Sequence, residues 1–307
     1  MSAERALLPG GRWHFQHGPI DIVIGAEGLP GALEAAHEAA WARFETLLDE
    51  LVAELPLLRL PVQGGPCPLR GAVARRMWLA CAPFAAGFIT PMAAVAGSVA
   101  QELIAFYRRD GVERAWVNNG GDIALHLAPG AAVRVGLFAD LARFDPAQPL
   151  RADAVTVLDA AMPVRGIATS GWRGRSSSLG IADSATVLAA TAAEADAAAT
   201  VIANAVNAGD ARIQRRPASS LRDDSDLGDI AVTVDVPPLP PELVRVAIER
   251  GLQRARELQA AGLIHGAAIA CQGRFAALPS ANTNTAAATA TMHAMPRFAA
   301  LTAEGCR

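Results

Sequence analysis

Residues 192–208 read Ala-Ala-Glu-Ala-Asp-Ala-Ala-Ala-Thr-Val-Ile-Ala-Asn-Ala-Val-Asn-Ala. Alanine is the strongest helix former, so the segment predicts a helix, but one with almost no bulky side chain on any face. Such a helix gains little from burying its own surface and is stabilised only where neighbouring backbone comes very close. A second stretch, Met92-Ala-Ala-Val-Ala-Gly-Ser98, has the same character within a helix expected over 92–109. The composition agrees: 52% of residues are hydrophobic and only 5% aromatic. This describes a helix-rich protein whose core is packed from small side chains, and 307 residues suffice to bury one.

The alanine-rich helix is preceded by a loop, Gly166-Ile-Ala-Thr-Ser-Gly-Trp-Arg-Gly-Arg-Ser-Ser-Ser-Leu-Gly-Ile-Ala-Asp183. Upstream stands a second cluster of glycine and polar residues, Val117-Asn-Asn-Gly-Gly-Asp-Ile-Ala124. Glycine lets backbone approach a ligand closely, while hydroxyl, amide and carboxylate groups orient it. Asn-Gly is also the commonest hairpin signal, so the upstream cluster reads equally as a turn. Arg173 and Arg175, with Ser176, Ser177 and Ser178, suit a carboxylate or phosphate, because guanidinium offers a planar fork of donors and serine a short, adaptable one.

Several chemistries are excluded or disfavoured. There is no lysine among the 27 basic residues, which removes Schiff-base chemistry and the Gly-Lys-Ser/Thr phosphate loop. A net charge of −3 with both signs dispersed gives no basic stripe for nucleic acid. Cys67, Cys81, Cys271 and Cys306 lack the paired spacings of zinc or redox sites and read as reduced thiols. No export signal is expected at the N-terminus, and no apolar run reaches membrane-spanning length. A cytoplasmic protein acting on a small molecule is the expectation.

Along the chain, strands are expected at 13–16, 20–24, 115–117, 122–127, 133–138, 155–158, 165–168, 183–190 and 230–236, with a closing hairpin at 265–271 and 274–277. Helices are expected at 31–55, 69–82, 92–109, 192–208 and 241–261, and loops at 56–68 and 211–228. The fold class is α/β in the α+β sense, a single domain over 1–278 with a mixed sheet and packed small-residue helices. The Thr- and Ala-rich tail of 279–307 is expected to be mobile or loosely docked.

Three motifs in order, Asn119-Gly-Gly-Asp-Ile, Ile167-Ala-Thr-Ser-Gly171 and Ala195-Asp-Ala-Ala-Ala-Thr200, resemble those of the ApbE family of FAD-dependent FMN transferases, across about a third of the chain. The likeness is to a cytoplasmic branch of ApbE-like proteins. It implies that Asp196 and Thr200 hold Mg2+; their i, i+4 spacing puts both on one helix face, and hard oxygen ligands suit that ion. It implies further that Asn119, Gly120, Gly121 and Asp122 line a flavin pocket for FAD or FMN, with Asn118 beside them a further ligand-binding candidate, and that Thr169, Ser170 and Gly171 lie next to the reacting phosphate. One motif departs: where the transferases carry His-x-x-Asp-Pro-x-Thr-Gly, this chain has Gly180-Ile-Ala-Asp183-Ser-Ala-Thr186-Val. The absent histidine counts against FMN transfer itself.

For a catalytic site the candidates are Asp183 or Asp122 as proton carrier, Ser170 or Ser178 as hydroxyl partner, and Arg173 and Arg175 as holders of substrate charge. His14 or His17 could replace the lost imidazole, although no spacing ties them to the site. Glu102 is a further candidate. The expected ligand is an anionic small molecule, a flavin or nucleotide, or a small heterocyclic carboxylate handled by hydrolytic or proton-transfer chemistry, bound between the 117–124 and 168–183 loops. The alternative is a flavin-binding or carrier protein without catalysis; a homodimer packed through the small-residue helices is a third reading.

Overall fold

The computed structural model describes residues 2–137, 154–174 and 176–280; Arg175 and the tail beyond 280 lie outside them. The chain forms two compact units: Met1–Ala131, Pro163–Ala168 and Leu188–Ala197 make the first, and Ala132–Met162, Thr169–Val187 and Ala198–Arg307 the second. The class is α+β, with six α-helices among the described residues, numbered with the strands in chain order.

In the first unit β1 (Glu4–Leu8), β2 (Arg12–His17), β3 (Ile20–Gly28), β4 (Val112–Asn119) and β5 (Asp122–Leu127) pair successively and antiparallel. β5 then pairs with the start of β8 (Gly166–Ser170) through Ile123↔Ile167 and Ala124↔Gly166. Only β1 was not legible in the sequence. It is an edge strand, four of its five residues exposed, so no alternation of buried and solvent-facing side chains marks it.

α1 (Pro30–Ala53) opens with proline at its first turn and buries Ala36, Ala40, Phe44, Leu47 and Leu51, the i, i+4, i+7 rhythm of one helix face. That face meets Phe15, Ile22 and Ile24 of the strands, with Phe15 edge-on to Trp41 at 5.0 Å and against Phe44 at 5.4 Å. Each such fully buried large side chain stabilises the unit by about 1.5–3 kcal/mol. The proline-rich loop expected after α1 contains one helical turn, α2 (Leu55–Leu58). Glu54 then turns back and accepts the backbone N–H groups of Arg70 and Gly71, both at 2.7 Å, at the start of α3 (Ala72–Cys81). A carboxylate there complements the positive end of the helix.

The helix expected over 92–109 is α-helical only as α4 (Val95–Ile104), with 3-10 turns at Pro91–Ala94 and Ala105–Tyr107. The second unit carries the hairpin β6 (Ala132–Leu137) and β7 (Ala154–Asp159), the main part of β9 (Ser184–Ala189), and β12 (Gly266–Cys271) with β13 (Arg274–Leu278). α6 (Pro241–Ala260) lays Val244, Ala247, Ile248, Gly251, Leu252, Ala255 and Leu258 into the interior. β10 (Gln214–Pro217) lies in the region expected to be a loop and pairs with β11 (Ala231–Asp235), which matches the strand expected over 230–236. The alanine-rich helix is α5 (Ala192–Ala205), which begins in the first unit and ends in the second. No helix among the described residues is long and apolar enough to cross a membrane.

Candidate functional site

The Asn119-Gly-Gly-Asp motif is the tight turn between β4 and β5, where Asn119 and Asp122 face each other across the ladder. Gly120 (φ 66°) and Gly121 (φ 113°) both take positive φ, a backbone open to glycine at little cost and to side-chain-bearing residues only under strain. The Asn118 side chain closes the turn by accepting the N–H of Gly121 at 2.8 Å. The turn reading is therefore correct as structure, and it leaves Asn119 and Asp122 buried at its base, 8% and 9% exposed.

What these two residues meet follows from α4. Asn119 donates through Nδ2 to the carbonyl of Ala96 at 3.2 Å. The N–H groups of Ala96 and Gly97, unpaired within the helix because they belong to its first turn, point at Asp196, whose Oδ2 accepts from Gly97 at 2.9 Å. Gly97 is required here: a Cβ would lie 2.2 Å from the Ala192 carbonyl oxygen and 2.9 Å from the Asp196 Cβ. The small-residue stripes of α4 and of the start of α5 are thus spent on bringing a carboxylate against a helix N-terminus.

Electrostatics at Asp196 are unbalanced. Burial raises its pKa well above the usual aspartate value, the nearby Asp122 charge raises it further, and the two backbone N–H groups offset this only in part. Two carboxylates at close quarters resist ionising together. The residues present fit a divalent cation: Asp122 and Asp196 supply hard oxygens and a cation would relieve their mutual repulsion; Thr200 lies four residues further along α5, in the second unit. No group of three or more His, Cys, Asp or Glu that could hold a metal occurs among the described residues, so such a site would draw on hydroxyl, backbone, water or ligand oxygens as well.

In the second unit the glycine and serine loop is organised around Asp183. Its N–H bonds the Ala270 carbonyl at 2.9 Å, which ties it to β12. Its side chain is 6% exposed, with Oδ2 accepting the N–H of Gln272 and Oδ1 lying 3.2 Å from Arg173 Nε. Gln272 is fixed in turn, at φ 46° in the β12–β13 turn, with Oε1 accepting from Leu239 N and Nε2 donating to Pro237 O. The Arg173 guanidinium stacks over Trp172 at 4.9 Å, and the Trp172 indole N–H is buried without a hydrogen-bond partner. Beneath the loop the Thr169 and Thr186 hydroxyls bond each other at 2.9 Å.

The remaining candidates fall into place around these clusters. The Ser178 hydroxyl ties its loop to α5, donating to Asn204 Oδ1 at 3.1 Å and accepting from Gly180 N at 3.2 Å. Ser176 and Ser177 are exposed, and Ser170 is half-buried at the end of β8. Cys271, beside Asp183, is pushed up to about 12, chiefly by burial and then by that carboxylate, so it offers no thiolate. His14 bonds Asp21 at 3.0 Å and His17 packs on Phe44. Glu102 joins Arg43 (2.8 Å) and Arg76 (2.9 Å), a link between α1, α3 and α4.

At Gly180, where the ApbE motif has histidine, a Cβ would lie 2.0 Å from the Ala203 carbonyl oxygen and 2.8 Å from that of Val206. Backbone fills the space a side chain would need. Sequence reasoning marked the missing histidine but missed the functional partners Gly97 and Gln272; Gly97 lay in the Ala-Gly-Ser stripe, while nothing local marks Gln272.

Comparison with known proteins agrees with the motif resemblance. The UPF0280 protein of Methanosarcina barkeri is 33% identical over 198 residues, 64% of this chain and 73% of its own length. That of Methanopyrus kandleri is 34% identical over 221 residues, 70% of this chain and 83% of its own. The Pseudomonas stutzeri flavinyl transferase ApbE, apo form, aligns over 95% of this chain and 97% of its own at a TM-score of 0.49 and 14% identity. The profile of the family described as AbpE bacteria matches residues 5–277, and the chain belongs to that ApbE-like family.

Proposed function

We propose that the chain binds an anionic small molecule of the flavin-nucleotide kind, with the Asp122–Asp196 pair and Thr200 holding a divalent cation such as Mg2+. When bound, that ion supplies charge neutralisation for a diphosphate. The observation that carries this reading is the raised pKa of Asp196 beside Asp122 at the N-terminus of α4, a carboxylate pair arranged at a cost and relieved by a cation. Within the second unit, the loop of Thr169, Ser170, Gly171, Arg173 and Asp183 is an anion-holding element of its own. There Asp183 aims the Arg173 guanidinium, and the buried Trp172 N–H, which destabilises by about 1–3 kcal/mol while unsatisfied, is a donor for a ligand oxygen.

A second reading, a flavin-binding or carrier protein without turnover, is favoured by Gly180, where backbone closes off the position of the transferase histidine. Hydrolytic or proton-transfer chemistry through Asp183 separates the two. The test combines native mass spectrometry and an absorption spectrum of the freshly purified protein with FAD titrations with and without Mg2+. Retained flavin, or FAD binding strengthened at least tenfold by Mg2+ and lost in Asp196→Asn, is the expected result. A colourless protein that binds no FAD under either condition overturns the flavin reading. Where FAD is converted, Asp183→Asn abolishing turnover while binding persists assigns catalysis; unaltered FAD over long incubation assigns the carrier.

A further inference from the structure

The first unit also contains a cavity of about 730 Å³ that the carboxylate pair does not use. Its walls come from the turn after α4, which carries Arg108 and Arg109, from the far end of β5 with His126, from Arg165 just before β8, and from Thr191 just before α5. His126 stands four residues along β5 from Asp122, roughly 13 Å at the strand rise of about 3.3 Å per residue. The cavity is therefore a separate place.

Three guanidiniums and an imidazole line this concavity, and Asp110 is the one carboxylate among its lining residues. Several arginines elsewhere are ion-paired: Arg43 and Arg76 share Glu102, Arg114 meets Glu27, Arg212 meets Asp210, and Arg245, Arg254 and Arg256 each meet a glutamate, while Arg12, Arg75, Arg215 and Arg250 bond backbone or amide oxygens. Arg108 and Arg109 have no ion-pair partner among the described residues. Arg165 is held in place, its N–H on the Ala189 carbonyl and its Nη1 on that of Val164. Nε2 of His126 lies 3.2 Å from the Val112 carbonyl oxygen, which fixes the ring and leaves its other nitrogen for a ligand. Burial lowers the His126 pKa, and the positive fields of Arg108 and Arg165 lower it further, so both charges converge on the imidazole.

We infer that this cavity is an anion-binding site for a phosphorylated small molecule, with Arg108, Arg109 and Arg165 gripping the phosphate and His126, whose Nε2–H faces the Val112 carbonyl, accepting at Nδ1 from a hydroxyl of the same ligand. Guanidinium forks match phosphate oxygens two at a time. The volume falls in the range of small-molecule pockets, and Leu125 and Leu127 supply apolar wall for the organic part.

The test is calorimetric titration of the full chain with inorganic diphosphate, in EDTA and at low salt. All proteins carry Arg173→Gln, so that the loop of the second unit does not contribute. Saturable one-to-one binding is expected, weakened at least tenfold by the added pair Arg108→Gln and Arg109→Gln, and unchanged by Arg216→Gln, an exposed arginine of the other unit. The absence of saturable binding overturns the assignment. So does equal weakening by Arg216→Gln, which is the signature of diffuse surface charge. With chelator present and FAD absent, neither outcome depends on the cation reading of Asp122 and Asp196.

Discussion

Asp196 is the residue on which the most chemistry converges. Its folded pKa is raised above the ordinary aspartate value of 3.8, by burial and by Asp122. An acid with a raised folded pKa contributes stability that is complete below its unfolded value and is lost as pH rises through the folded one. Asp196→Asn removes that loss while its amide oxygen still accepts the Gly97 N–H. The expected outcome is a urea midpoint that gains on the parent protein as pH rises from acid to neutral. Mg2+ is expected to raise the thermal midpoint of the parent and not of the variant. A parent midpoint unmoved by Mg2+ would leave Asp196 only as a helix cap. In the sequence, the residue types Asn119, Asp122, Asp196 and Thr200 were visible through the motifs. That Asp122 and Asp196 influence each other was not, because 74 positions separate them and no local pattern reports the distance between a hairpin and a helix.

At the scale of elements, the contact between α4 and the start of α5 rests on Gly97, whose added Cβ would press on the Ala192 carbonyl at 2.2 Å. Backbone cannot yield as a side-chain tip can. Gly97→Ala is expected to destabilise by about 1–3 kcal/mol, read as a lower urea midpoint with unchanged m-value, and to weaken Mg2+ binding by shifting the N–H that holds Asp196. A midpoint within error of the parent would show that the two elements separate freely. Helix periodicity made α1 and α6 legible, and alanine content α5. β1 and β10 were illegible for the opposite reason: short, mostly exposed strands owe their existence to a partner's hydrogen bonds and not to their own side chains. The expected continuous helix at 92–109 breaks into 3-10 turns at both ends, with Pro91 opening the first.

Across the whole molecule, arginine carries every side-chain charge that lysine would otherwise share, and among the described residues Arg43 grips Glu50 and Arg212 grips Asp210 in a fork. Around Glu102, burial raises the carboxyl pKa, but the hydrogen bonds and charges of Arg43 and Arg76 outweigh it and leave the net value below the usual 4.5. A depressed folded value means that this stability is present above the unfolded pKa and is lost as pH falls through the folded one. Glu102→Gln is expected to cost about 1–3 kcal/mol at neutral pH, because the charge is lost and the single amide oxygen cannot serve both part-buried guanidiniums, and to flatten the acid limb of the stability curve. An acid limb as steep in the variant as in the parent would assign the loss to other carboxylates, Glu50 beside Arg43 first among them.

Local sequence determined the order of most strands and helices, the absence of lysine, the glycine turn at 120–121 and a glycine, Gly180, at the position aligned by motif with histidine, since each depends on residues adjacent in the chain or on the absence of a residue type. Only tertiary structure decided that Asp196 meets a helix N-terminus, that Gln272 holds Asp183, that backbone occupies the space beside Gly180, and that Arg108 and Arg109, with no ion-pair partner among the described residues, face a cavity. Those facts depend on desolvation and on approach distances between segments far apart in sequence, which fall off within a few ångströms and leave no periodic signal in the chain.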